Sequence, residues 1–223
     1  MAKFSRIEVS IKMKETGLVP VFYSPDAEEC KAVIKACYDG GIRVFEFTNR
    51  GDFAHEVFAV LSRWVAAELP DLILGTGSVV DAATAALYIQ LGSNFIVSPL
   101  LNEEMARTCN RRKILWAPGC GSLSEISRAE ELGAEIVKMF PGDSVGGPSF
   151  VKNIKGPCPW TSIMPTGGVS PEESNLKAWF DAGVHCVGMG SKLITSELLS
   201  RKDFAGLTEK VRLTLSVIAA VRP

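Results

Sequence analysis

The sequence predicts an α/β protein of the (β/α)8 TIM-barrel type, a single domain over residues 1–223 with an extra N-terminal helix. Three observations carry that expectation. Short β-like apolar runs recur at regular intervals, stretches with helical spacing separate them, and no Pro/Ser-rich linker or charge run divides the chain. Regular βα alternation implies a parallel sheet, and eight such units suggest closure into a barrel.

The eight expected strands are Val19–Tyr23, Ile42–Thr48, Leu72–Thr76, Asn94–Ser98, Ile114–Ala117, Glu135–Phe140, Ser162–Thr166 and Val184–Met189. Ahead of the first, a helix with Ile7 and Ile11 on one side is placed to cover the bottom of the barrel. After it, Ser24-Pro25-Asp26 reads as a helix start with proline at the first helical position. That helix puts Ala27, Cys30, Val33, Ile34 and Cys37 on one face. It stops at Asp39-Gly40-Gly41, where glycine accepts a left-handed cap. Leu132-Gly133 and Ala182-Gly183 read as two more stops. An open doubly wound sheet is the alternative topology. No G-x-G-x-x-G follows the first strand and no G-x-x-x-x-G-K-[ST] occurs, which counts against its nucleotide-binding form.

Composition narrows the function classes. With 24 Lys+Arg against 25 Asp+Glu, the formal charge is −1, so the basic stripe of a nucleic-acid binder is not expected. An apolar fraction of 47% supports a large core and argues against disorder. Residues 1–17 alternate charged and apolar side chains, unlike a secretory signal. No run reaches the roughly 18–20 apolar residues that span a bilayer. Cys30, Cys37, Cys109, Cys120, Cys158 and Cys186 are scattered without a C-x-x-C pair, as expected of reduced packing residues in a cytoplasmic protein.

Catalytic groups of such barrels sit at the C-terminal ends of strands, where the unusual residues of this chain collect. The sixth strand carries Lys138 within the apolar run I-V-K-M-F, with Phe140 on the same face and Val137 and Met139 on the other. A desolvated lysine is a usable nucleophile; the alternative is a structural ion pair. In the second strand Glu46 shares a face with Thr48 while Phe45 and Phe47 point to the helices, and Arg50 stands at the exit. Glu46 is a candidate proton-transfer group and Arg50 a candidate carboxylate clamp; a core salt bridge is the plainer reading. Pro165-Thr166-Gly167-Gly168 and Gly188-Met189-Gly190-Ser191 follow strands seven and eight. Each is expected to open a helix and to offer N–H groups to a phosphate. Gly75-Thr76-Gly77-Ser78 and Val97-Ser98-Pro99 add hydroxyls and a rigid wall. His55 and His185 lack histidine partners at ligand spacing, so lysine chemistry without metal or cofactor fits better than a zinc site.

Eight ordered pieces resemble the 2-keto-3-deoxy-6-phosphogluconate / 4-hydroxy-2-oxoglutarate aldolases, which are class I Schiff-base enzymes. They are V-P-V at 19–21, R-V-F-E-F-T-N-R at 43–50, G-T-G-S at 75–78, F-I-V-S-P at 95–99, P-G at 118–119, V-K-M-F-P at 137–141, P-T-G-G at 165–168 and G-M-G-S at 188–191. The resemblance implies that Lys138 forms the imine, Glu46 shuttles protons and Arg50 binds the pyruvyl carboxylate. It places Pro99 and Phe140 at the pyruvyl end. Thr166, Gly167, Gly168, Gly190 and Ser191 then hold the phosphate end. Ser78 stands where the family usually has threonine, and Asn49 replaces an apolar residue, implying an altered mouth. The resemblance also implies a homotrimer and retro-aldol cleavage of the phosphorylated 2-keto acid to pyruvate and glyceraldehyde 3-phosphate. Cleavage of the galactonate epimer, of 4-hydroxy-2-oxoglutarate, or mere phosphosugar binding by an inactive barrel are the competing expectations.

Overall fold

The computed structural model describes residues 2–222. Helix α1 (Arg6–Thr16) opens with a reciprocal capping box between Ser5 and Glu8 and closes at Gly17, whose φ of 75° is left-handed. The helix exists where expected, but its packed face does not. Val9 and Met13 are buried, whereas Ile7 and Ile11 are 65% and 52% exposed. Both pairs have helical i, i+4 spacing, so periodicity alone did not distinguish them.

The remaining elements alternate: β1 (Leu18–Phe22), α2 (Ala27–Asp39), β2 (Val44–Thr48), α3 (Ala54–Glu68), β3 (Ile73–Gly77), α4 (Ala82–Gln90), β4 (Phe95–Val97) and α5 (Glu103–Arg112). They continue as β5 (Leu115–Ala117), β6 (Gly119–Cys120), α6 (Leu123–Glu131), β7 (Val137–Met139), α7 (Gly147–Lys155), β8 (Ile163–Pro165), α8 (Glu173–Asp181), β9 (Val187–Met189), α9 (Ser196–Ser200) and α10 (Phe204–Val221). Every strand pair is parallel. The strands form a six-stranded sheet in the order β5-β4-β3-β2-β1-β9 and a three-stranded sheet β6-β7-β8. Thr166, just past β8, makes an isolated parallel bridge to Gly188 of β9. The fifth expected strand, Ile114–Ala117, is matched by β5, and a further short strand, β6, follows it beyond Pro118. A proline has no N–H for the ladder, although its carbonyl still accepts from Lys138 N–H at 2.8 Å.

Two local expectations also change. The N-cap of α2 is Asp26, whose carboxylate accepts from Glu28 N–H, so Pro25 precedes the cap and is not the first helical residue. At its other end Gly40 is right-handed and Gly41 carries the positive φ, 112°. Gly133 and Gly183, by contrast, are left-handed at 86° and 93°, as their stop signals require.

Period-2 alternation divides the core cleanly. Leu18, Phe45, Phe47, Leu74, Ile96, Trp116, Val137, Met139, Ile163 and Val187 join the cluster that packs against the helices. Val19, Val44, Ile73, Phe95, Leu115, Ile136, Met164 and Cys186 form a second cluster on the opposite, inner face, together with Val9 and Met13 of α1. Helix α1 therefore seals the inner face near the N-terminal ends of the strands. His185 ties it there, its Nε2 lying 3.0 Å from the Ser10 carbonyl oxygen.

Candidate active site

Two residues further along the same strands, the inner face changes character. Glu46 and Thr48 follow Val44 in β2, and Lys138 follows Ile136 into β7. Glu46 is 1% exposed and Lys138 5% exposed. Neither Glu46 carboxyl oxygen has a hydrogen-bond partner among the described residues. Burial pushes the Glu46 carboxyl up from the ordinary range, against the opposing pull of the Lys138 and Arg50 cations. Burial pushes the Lys138 amine down; Glu46 opposes that and Arg50 reinforces it. Both groups are thereby driven towards their neutral forms. The Lys138 Nζ lies 4.7 Å from the centroid of the Phe140 ring, so the two do share one face.

Room for these side chains comes from glycine. Gly77 pairs with Thr48 across the β2–β3 ladder, and a Cβ on it would run into Glu46 Oε1. A Cβ on Gly188 would likewise strike the Thr166 hydroxyl, another buried polar group without a partner among the described residues.

Above this layer lies a cavity of about 570 Å³. Arg50, Phe140, Thr166, Gly167, Gly168, Gly190 and Ser191 of the expected site all line it. Lys138 and Glu46 lie behind its wall. Pro99 lines a neighbouring cavity of about 550 Å³, and Phe140 is common to both. Ser78 reaches the site through Arg50, whose Nε donates to its hydroxyl at 3.3 Å. The Ser78 backbone has a φ of 58°, which a β-branched residue adopts less readily; serine keeps the hydroxyl there with less strain than threonine. Asn49 does not shape the mouth: its Oδ1 accepts from Tyr88 at 2.8 Å, within the helix-side core.

The glycine turns differ from expectation. Gly167 and Gly168 both have positive φ, 95° and 72°, which no regular helix continues, and α8 starts only at Glu173. Past β9, Leu193 and Ile194 N–H both return to the Gly190 carbonyl, giving one helical turn before α9. The N–H groups of these turns therefore belong to loops and not to the N-termini of regular helices.

The profile of the aldolase family described as "KDPG and KHG aldolase" matches residues 9–210. The chain belongs to the KDPG and KHG aldolase family. It is 32% identical to the 2-dehydro-3-deoxy-phosphogluconate aldolase of Pseudoalteromonas atlantica, over 99% of this chain and 100% of that one. It is 31% identical to the KHG/KDPG aldolase of Escherichia coli K12, over 87% and 89%. Among solved structures, the KDPG aldolase of Legionella pneumophila, with pyruvate captured as a covalent carbinolamine intermediate, superposes with a TM-score of 0.83. That match has 25% identity over 92% of this chain and 97% of that one.

Against this family background, sequence reading missed three kinds of residue. Gly75 and Gly77 were read for their neighbouring hydroxyls and not for the space they leave. Val21 and Tyr23 line the cavity from β1 and its exit. Lys192 lines it beside Ser191 and was passed over, because a lysine one residue beyond a glycine turn resembles any solvated surface lysine. Among the described residues no helix is long and apolar enough to cross a membrane.

Proposed function

We propose that this chain is a class I aldolase that cleaves 2-dehydro-3-deoxy-6-phosphogluconate to pyruvate and glyceraldehyde 3-phosphate through an imine on Lys138. The carrying observation is a buried lysine amine accompanied by a buried carboxyl whose oxygens have no protein partner, both behind one cavity. A purely structural ion pair would satisfy those oxygens with hydrogen bonds.

In this mechanism the neutral Lys138 amine adds to the C2 ketone. Glu46, protonated at rest, gives its proton to the carbinolamine hydroxyl, which leaves as water. The resulting iminium charge favours the carboxylate form of Glu46. That carboxylate takes the C4 hydroxyl proton, the C3–C4 bond breaks, and its electron pair moves into the imine to form an enamine. Glyceraldehyde 3-phosphate departs. The enamine is then protonated at C3, and water releases pyruvate and regenerates the amine. Arg50, positioned by Ser78, holds the carboxylate through its fork of donors. Pro99 and Phe140 wall the pyruvyl end. Thr166, Gly167, Gly168, Gly190 and Ser191 take the phosphate.

The same reading has the two sheets as one closed eight-stranded barrel in a single domain. The Thr166–Gly188 bridge supports closure at one seam, and the single-residue gap at Pro118 supports it at the other. A homotrimer, implied by the family resemblance, is the assembly expected from light scattering.

Borohydride reduction in the presence of pyruvate tests the mechanism. Irreversible inactivation, with the label mapped to Lys138, is expected. A label on another residue, or none, overturns it.

A further inference from the structure

We propose that Lys192 is the residue that makes the site specific for a substrate charged at both ends, by neutralising the phosphate at the end remote from Lys138. This rests on the aldolase reading above and adds to the backbone N–H groups of the glycine turns a side-chain cation, one residue beyond Ser191. Arg50 and Lys192 are the only charged residues that line the 570 Å³ cavity among the described residues; no carboxylate does. The cavity therefore carries a cation for each anionic end of such a substrate. Arg50 stands at the exit of β2 beside Ser78. Lys192 follows Ser191 in the turn after β9.

That turn is braced from behind. Lys210 of α10 donates from Nζ to the Lys192 carbonyl at 2.7 Å, and the Leu193 and Ile194 N–H groups close on Gly190. The backbone that presents Ser191 and Lys192 is thus held at both ends, while the Lys192 side chain stays exposed and has no salt-bridge partner among the described residues. Asp143 packs against Gly168, its carboxylate accepts from Ser144 N–H, and it is not among the residues that line the cavity. Loop N–H dipoles alone recognise an anion of any charge. A full cation one residue from them adds preference for a dianion, and as a point charge on a flexible stem it suits a phosphate better than a planar carboxylate.

The test compares kcat/KM for the 6-phosphate and for the unphosphorylated 2-keto-3-deoxy acid in wild type, Lys192→Met and Lys192→Arg, at low and high ionic strength. Wild type is expected to prefer the phosphate. Lys192→Met should lose about tenfold of that preference, the scale of one charge-assisted hydrogen bond, and Lys192→Arg should keep most of it. The wild-type preference should shrink with added salt, and that of Lys192→Met should respond less. If wild type prefers the phosphate and Lys192→Met retains both preference and salt response, the assignment of Lys192 is overturned and the aldolase reading stands. If wild type is not trapped by pyruvate and borohydride, the aldolase reading itself fails, and the assignment of Lys192 with it.

Discussion

The inner face of the sheet holds two layers built on the same strands, and they obey opposite rules. Near the N-terminal ends Val19, Val44, Ile73, Ile136 and Met164 pack against Val9 and Met13 of α1, all buried and all apolar. Two residues on, the equivalent positions carry Val21, Glu46, Gly75, Lys138 and Thr166. At four of these five, charge, a hydroxyl or small size replaces apolar volume, and burial is unaccompanied by hydrogen bonding at Glu46 and Thr166. Since strand geometry is continuous, the difference lies wholly in side-chain choice. The lower layer holds the strands together; the upper one spends stability on two ionisable groups.

The largest break in that comparison is Lys138→Met. Removing a covalent nucleophile lowers turnover on the order of 10⁶-fold, and with Glu46 driven towards its neutral form, an apolar chain in place of the buried amine leaves no buried charge unpaired, so stability is expected to hold or rise. Chemical denaturation beside a turnover assay checks both signs. A variant that keeps turnover and loses stability would make the pair structural. Glu46→Gln comes next: it keeps size but not basicity, so turnover falls by about 10²–10⁴ with the fold intact. Ile73→Ala, in the lower layer, should do the reverse. It costs about 2–5 kcal/mol of stability while kcat per folded molecule holds.

The smallest effect is a pH signature. Lys138 has a native value below its unfolded one, near ~10.4, so the unfolded chain binds more protons in the window between them and stability rises with pH there. The stability advantage of Lys138→Met over wild type should therefore shrink as pH climbs towards the ordinary lysine range. Glu46 has a native value above its unfolded one, so its contribution falls as pH rises through its window. The advantage of Glu46→Gln should grow across that interval. Urea midpoints across pH measure both, and parallel slopes for the two variants would contradict the assignment of neutral native forms.

Much of this contrast was legible in the sequence. Lys138 and Glu46 are conspicuous because an ionisable residue interrupts an apolar strand, and period-2 alternation assigned both to the inner face. The βα rhythm, the left-handed stops at Gly133 and Gly183 and the glycine turns beside the cavity were legible for the same reason: each is a local rule with a local signal. What escaped depends on contacts across the chain. The Ile7 and Ile11 pair and the Val9 and Met13 pair have equal helical spacing, and only the neighbouring strand ends decide which is buried. Asn49 was read as a mouth residue because its partner, Tyr88, lies a whole βα unit away. Gly77 was passed over beside the hydroxyls of its segment, since the carboxylate that needs its missing Cβ stands on another strand.

The pairing of β1 with β9, which sets Leu18 beside Val187, also orders events during synthesis. The first strand finds one neighbour early, in β2, but its other edge waits for nearly the whole chain. At ordinary ribosomal rates that is an interval of roughly 10–30 s. Throughout it the nascent chain carries an open strand edge built from Leu-Val-Pro-Val-Phe, a template that could recruit foreign strands. Gly17 gives its carbonyl to the β9 side, and alternation along the strand turns the missing N–H of Pro20 to the β2 side, so the waiting edge keeps the donors of Val19 and Val21 until β9 arrives.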